Sequence, residues 1–249
     1  MRKARRMTPS WLTPLSAPRV SLAQRVPSAV RIAVLDAWAV LSPVTCAGCG
    51  IDDRGMCLAC RGRFAARLRV HEVGAGAEST AFPVTCALDY EGPVRRAILA
   101  FKERARTDIA ATLAAPLREA VLATIEGRVE LVTIPTSRSS YRSRGFDPVA
   151  LLVARARLPR SADVLQIVRS TASQKTLDRQ SRESNLASAM SARRSLVGRR
   201  FVLIDDVMTT GATLAEAARA ITAASGVVLG AATLAHTPRR FDGSAQRGS

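Results

Sequence analysis

Two stretches of the 249-residue chain carry residue types at spacings that could do chemistry. In the first, Cys46, Cys49, Cys57 and Cys60 follow the pattern C-x2-C-x7-C-x2-C. Each C-x2-C turn presents two thiolates on one side of a tight loop, and two such turns close a tetrahedron around zinc. Gly48, Gly50 and Gly55 supply the backbone freedom for the bends. Four thiolates leave no open coordination position, so the expected role is structural. Two local disulfides or a redox pair are the competing readings; the close spacing and the lack of a secretory signal favour zinc. Cys86 stands alone in an apolar strand pattern and reads as a small buried hydrophobe.

In the second stretch an apolar run from Phe201 ends in Asp205 and Asp206, followed by Thr209, Thr210, Gly211, Ala212 and Thr213 at the opening of a helix. Ligands of an open α/β sheet bind beyond the carboxyl ends of its strands, where these residues must sit. The threonine hydroxyls, the amides of a bend permitted by Gly211 and the positive end of the helix make a nest for a dianionic phosphate. The two neighbouring acids would then meet the vicinal hydroxyls of a sugar, and phosphate beside diol describes a ribose 5-phosphate. The plainer alternative is an acidic strand end followed by a threonine helix cap.

The elements that must position these groups alternate. Strands are predicted at Val84 to Tyr90, Val129 to Ile134, Asp163 to Val168, Arg200 to Asp205 and Val227 to Leu234, with helices at Val94 to Glu103, Asp108 to Ile125, Pro148 to Arg157 and Thr213 to Ser225. The last helix has Leu214, Ala217, Ala218 and Ile221 on one stripe. Such alternation predicts an α/β fold, a mainly parallel sheet flanked by helices, over residues 81–238. Residues 29–72 are expected to hold an amphipathic helix and the zinc module, 1–28 a disordered basic tail and 239–249 a polar tail.

Composition narrows the function classes. The chain is 47% hydrophobic and 23% charged, which excludes fibrous and wholly disordered readings. Its apolar run from Ala29 to Leu41, interrupted by Arg31 and Asp36, falls short of a membrane span, and no clean secretory signal is present, so a cytoplasmic location is expected. The net charge of +17 invites a polyanion, but seven positive side chains fall within the first 31 residues, where no acidic residue occurs. Only 4% of residues are aromatic, a poor supply of stacking faces for single-stranded nucleic acid.

The motif at Phe201 to Thr213 resembles that of the type I phosphoribosyltransferases, which bind 5-phosphoribosyl 1-diphosphate (PRPP). From Leu35 to Pro238 the chain is similar to the ComF family of competence-associated phosphoribosyltransferase-like proteins: the Cys46 to Cys60 module, Tyr90-Glu-Gly92 before Ile98 to Lys102, Ile134-Pro135 before Arg144-Gly145-Phe146, and Gln174-x-x-Leu177 before Arg182-x-x-Asn185-Leu186. Asp147-Pro148 departs from the Asn-Gln usual there, yet keeps a good helix start. The resemblance implies PRPP binding with Mg²⁺ and phosphoribosyl transfer to an unidentified nitrogenous acceptor, with Asp205 and Asp206 at the reacting sugar. Pro135, Thr136 and Arg138 would follow a strand onto the same rim and hold pyrophosphate, together with Arg144. Thr171 to Asn185, with Lys175 and Arg182, would be a loop closing over substrate, or else a solvated surface loop. Lys102 could be a phosphate contact or a helix-end charge. Thr209 stands where purine-salvage relatives carry an acid, which disfavours hypoxanthine and guanine. The zinc module is expected near the mouth of the site, and His71 and His236 read as incidental. The family's competence role also suggests single-stranded DNA or the DNA-uptake machinery as partners; a non-catalytic DNA-handling factor and a PRPP sensor are the alternative functions.

Overall fold

The computed structural model describes residues 45–52, 55–74, 81–168 and 189–238, all within one unit spanning Val44–Ser249. The two predicted tails, the helix at Ala29 to Leu41, Lys175 and Arg182 lie outside the described residues.

Valine, leucine and isoleucine recur without polar alternation in the predicted strands because helices cover both faces of the sheet. Strands β2 (Phe82–Asp89), β3 (Glu130–Thr133), β6 (Arg200–Met208) and β7 (Val227–His236) run parallel. β1 (Arg69–Val73) joins antiparallel on the outside of β2, giving the order β1-β2-β7-β6-β3. The parallel strands end on one rim, where Asp89, His236 and Met208 lie in register across β2, β7 and β6. At the opposite end Arg199 grips Glu130 with two hydrogen bonds of 2.7 Å, tying the start of β6 to the start of β3.

One face of the sheet is covered by α2 (Gly92–Glu103), α3 (Ala110–Thr124) and α5 (Pro148–Arg155). α3 directs Ala110, Leu113, Ala114, Leu117, Ala120 and Val121 inward, the helical spacing of a buried stripe. A single turn, α1 (Leu58–Arg61), belongs to the cysteine module, which joins the same core through Cys46, Cys57 and Cys60. The other face carries α6 (Ala212–Ala223), whose Leu214, Ala217, Ala218 and Ile221 stripe packs on Phe201 and Leu203 as its spacing predicts.

Two sequence expectations need correction. Asp163 to Val168 does not extend the main sheet: β4 (Leu165–Ile167) pairs antiparallel with β5 (Met190–Ala192) in a separate two-stranded ribbon. Val164, Leu165 and Met190 join the core on the α6 side, so an apolar run reached a core without reaching the sheet. Residues 69–72 are not part of the cysteine module either, since Arg69–Val73 is the edge strand β1; its exposed Arg69, Val70 and Glu72 hid it from a search for apolar runs. Arg138 follows β3 as the first residue of α4 (Arg138–Arg144), a helix with no buried residue, capped by Ser137, whose hydroxyl accepts the Ser140 amide at 3.1 Å. Asp147 caps α5 as predicted, its carboxylate accepting the Ala150 amide at 2.9 Å.

Candidate functional site

The four cysteines converge because two tight turns bring sulfurs from sequence-near positions together. Their Sγ atoms lie within 4.8 Å of one another, and Cys49 Sγ is 3.7 Å from Cys57 Sγ. Zinc–thiolate bonds of ~2.3 Å imply tetrahedral edges of about 3.8 Å, so the cluster has the size a metal ion such as zinc requires. All four are free thiols rather than disulfide partners. Burial works against ionisation of Cys46, but amides of Cys57, Cys49 and Gly48 aimed at its sulfur bring it down to about 6. Burial and then the Cys57, Cys49 and Cys46 thiols push Cys60 up; a bound cation would lift that penalty. Gly48 is required, since a Cβ there would lie 2.7 Å from Cys60 Sγ.

The module leans on α2 and the turn after it. Arg96 of α2 donates to the Gly48 carbonyl, and Arg106 donates to Thr45 and Gly55 carbonyls while pairing with Asp108 at 2.9 Å. The helix it buttresses carries Lys102 at its far end. Lys102 Nζ lies 2.9 Å from Asp206 Oδ2 and 3.0 Å from Oδ1, an ion pair joining residues 104 positions apart. This ion pair is neither of the two readings of Lys102, and it brings the ammonium to the end of β6.

Alternation along β6 corrects the expectation of a side-by-side acidic clamp. Asp205 is in register with Thr233, itself beside Cys86, on the face that Phe201 and Leu203 present to α6. Asp206 follows Val202 and Ile204 onto the other face, where Lys102 meets it. Adjacent strand residues cannot point the same way, so the two carboxylates flank the strand end. Asp205 Oδ1 accepts the Asp206 amide at 2.8 Å. Desolvation, followed by the Asp206 charge, pushes the Asp205 carboxyl up to about 7, against the pull of that amide and of Lys102.

Beyond β6 the chain bends through Thr209 and Thr210, both exposed, to Gly211 at φ +85°. A Cβ on Gly211 would meet Val73 Cγ2 at 2.7 Å, so the bend needs glycine for its dihedral and for the approach of β1. No side chain of Gly211 can cap α6, and among the described residues only Thr210 Oγ1, at 3.3 Å from the Ala212 amide, serves the first turn. Ala212 and Thr213 form that turn, leaving amides directed outward where an anion could bind.

Pro135 and Thr136 follow β3 onto the same end of the sheet. The Thr136 hydroxyl donates to Asp147 at 2.9 Å, so this residue is already engaged; Arg138 is exposed and Arg144 lies at the end of α4. β4 and β5 flank residues 169–188, which contain Lys175 and Arg182. Buried Glu216 on α6 holds β5: its carboxylate accepts the Met190 amide at 2.9 Å and Arg219 at 2.7 Å and 2.8 Å. Sequence reading missed Glu216, which sits in an alanine-rich helix with nothing local to mark it as buried. It also set aside His71 and His236, whose rings lie 4.4 Å apart beside Thr209 and Thr210 around a cavity of about 690 Å³. The rule that marked Asp205 would have marked His236, the last residue of a parallel strand.

The sequence of the phosphoribosyl transferase domain family matches residues 142–244. Relatives named DNA utilization protein YhgH, from Salmonella typhimurium and Salmonella typhi, are each 30% identical over 140 residues, covering 53% of this chain and 62% of theirs. The chain thus spans less than two thirds of the length of the curated relatives it matches. Among the described residues no helix is long and apolar enough to cross a membrane.

Proposed function

With a phosphoribosyl transferase domain behind a four-cysteine cluster, the chain has the make-up of the ComF family, and on that premise we propose that it binds PRPP together with Mg²⁺ and transfers its phosphoribosyl group to a nitrogenous acceptor. The observation that carries this reading is the bend at Thr209 to Thr213, which combines two exposed hydroxyls with the open amino end of a twelve-residue helix. A 5-phosphate seated there leaves the pentose against the end of β6. We assign the diol to Asp205, on the α6 face, and to Asp206 the task of holding Lys102 where pyrophosphate charge develops. Arg138 and Arg144 of α4 would add positive charge beyond β3.

The donor set fits Mg²⁺, since the residues near the sugar offer oxygens, and the ion when bound neutralises the leaving pyrophosphate. In the cysteine module we propose zinc in a structural role: it would fix the two knuckles and through them the helix that delivers Lys102. The relatives' name, DNA utilization protein, supports a role in the use of DNA. Direct strand binding by the module is less well supported, because Arg96 and Arg106 already spend guanidinium donors on Gly48, Thr45, Gly55 and Asp108. Calorimetric titration with PRPP and Mg²⁺ tests the reading. Thr209→Ala with Thr210→Ala, with circular dichroism checking the helix start that Thr210 serves, should weaken binding by about tenfold or more, on the scale of charge-assisted hydrogen bonds. Equal affinity in the variant, or none in the unmutated protein, would count against it.

A further inference from the structure

The cavity of about 690 Å³ beside Thr209 and Thr210 is unlike the chain around it. In a molecule with net charge +17, its walls carry three carboxylates, Glu72, Asp89 and Glu91, and one guanidinium, Arg69, which lies 3.3 Å from Asp89. Two imidazoles and the hydroxyls of Thr209, Thr210 and Thr237 complete the polar lining. His236 is 6% exposed, with Nε2 2.9 Å from Asp89 Oδ1, and its ring packs at a tilt of 55° against His71. The groups come from the edge strand β1 and from the carboxyl ends of β2 and β7, so the fold assembles them from separate parts of the sequence.

We propose that this cavity is the subsite for the second substrate and that it takes an uncharged or cationic nitrogen heterocycle bearing N–H donors, rejecting acceptors that carry a carboxylate. This rests on the phosphoribosyl reading, which seats a sugar phosphate on the shared wall at Thr209 and Thr210. Three physical facts carry it. The volume falls within the range of small-molecule sites, ~300–1,000 Å³. Carboxylates accept hydrogen bonds and donate none when ionised, so they match N–H groups and repel an anionic ligand. His236, buried beside Asp89 and packed against the His71 ring, presents a heterocyclic edge and face with little freedom to rearrange, as a specific pocket requires.

The test is ligand-observed NMR on the full chain with adenine, cytosine and imidazole as neutral or cationic probes and nicotinate, orotate and anthranilate as carboxylate probes, each with and without saturating PRPP and Mg²⁺. At least one probe of the first set should bind and none of the second. Glu72→Gln with Glu91→Gln, two exposed positions, should weaken the bound probe by about tenfold while the PRPP isotherm stays unchanged. His236→Gln should weaken it as well, with circular dichroism confirming the fold. Binding of the carboxylate probes, no binding of any probe, or neutral-probe binding indifferent to all the variants would overturn the proposal. Probe binding without PRPP binding would sink the phosphoribosyl reading and leave the cavity as a heterocycle site, so the two failures are distinguishable.

Discussion

The cysteine cluster and the strand-end rim are built in opposite ways. The cluster draws all four sulfurs from a fifteen-residue span and closes on itself, with the sulfurs within 4.8 Å of one another. The rim joins Lys102 to Asp206 across 104 residues and leaves the amides of the α6 turn open. A group that sequence neighbours complete can stabilise the fold and do little else; a group completed by distant elements can also bind something. The largest effect of any single change should therefore come from the cluster. On the zinc reading, Cys46→Ser removes one of the four thiols, a sulfur that the Cys57 amide approaches at 3.3 Å. Loss of a structural metal forfeits several kcal/mol, and for a domain of this size the melting temperature should fall by roughly 10 °C or more. Mass spectrometry of the native protein and a thermal scan, each repeated after chelation, check it; an unchanged melting temperature in the chelated protein would remove the contrast with the rim.

At the rim the next effect concerns a charge that depends on one partner. Asp206 is 7% exposed and Lys102 meets both of its oxygens. Lys102→Met leaves that carboxylate enclosed and unpaired, at a cost of about 2–4 kcal/mol, whereas Lys102→Met with Asp206→Leu should restore much of the loss. Denaturant titrations of the two single variants and the double variant complete the cycle. Additive losses would mean that the pair does not couple α2 to β6, and the comparison would lose its second half.

How legible each region was in the sequence follows from the same difference. Cys46 to Cys60 could be read as a metal cluster because the spacing itself sets the geometry. The bend at Gly211 could be read as well, for its strand, turn and helix are consecutive. The pairing of Lys102 could not, since nothing near it names Asp206, and both of its readings stayed open. The acidic pair misled for a physical reason: adjacency in sequence suggests a shared target, but in a strand it guarantees opposite faces. β1 was hidden because an edge strand needs few apolar residues, and with it went the approach of His71 to His236. Asp163 to Val168 carried a genuine strand signal, yet periodicity cannot say which sheet a strand joins.

The smallest predicted effect sharpens the distinction between the two acids. Asp205 has a folded-state value of about 7, raised from the ordinary 3.8 by desolvation and by Asp206. A carboxyl raised on folding binds its proton more tightly in the native state, so the stability it contributes is complete below the ordinary value and is lost as pH rises through about 7. The unmutated protein should lose about 1–2 kcal/mol across that window from this group, allowing for its contact with solvent. Asp205→Asn removes the titration while keeping the shape. Its melting temperature should match that of the unmutated protein near pH 4 and exceed it by a few degrees at pH 8, with the difference levelling off above about pH 7. A difference that is constant with pH would show that Asp205 is ionised throughout, as an acid with its own cationic partner would be, and the two carboxylates of the strand end would then be alike after all.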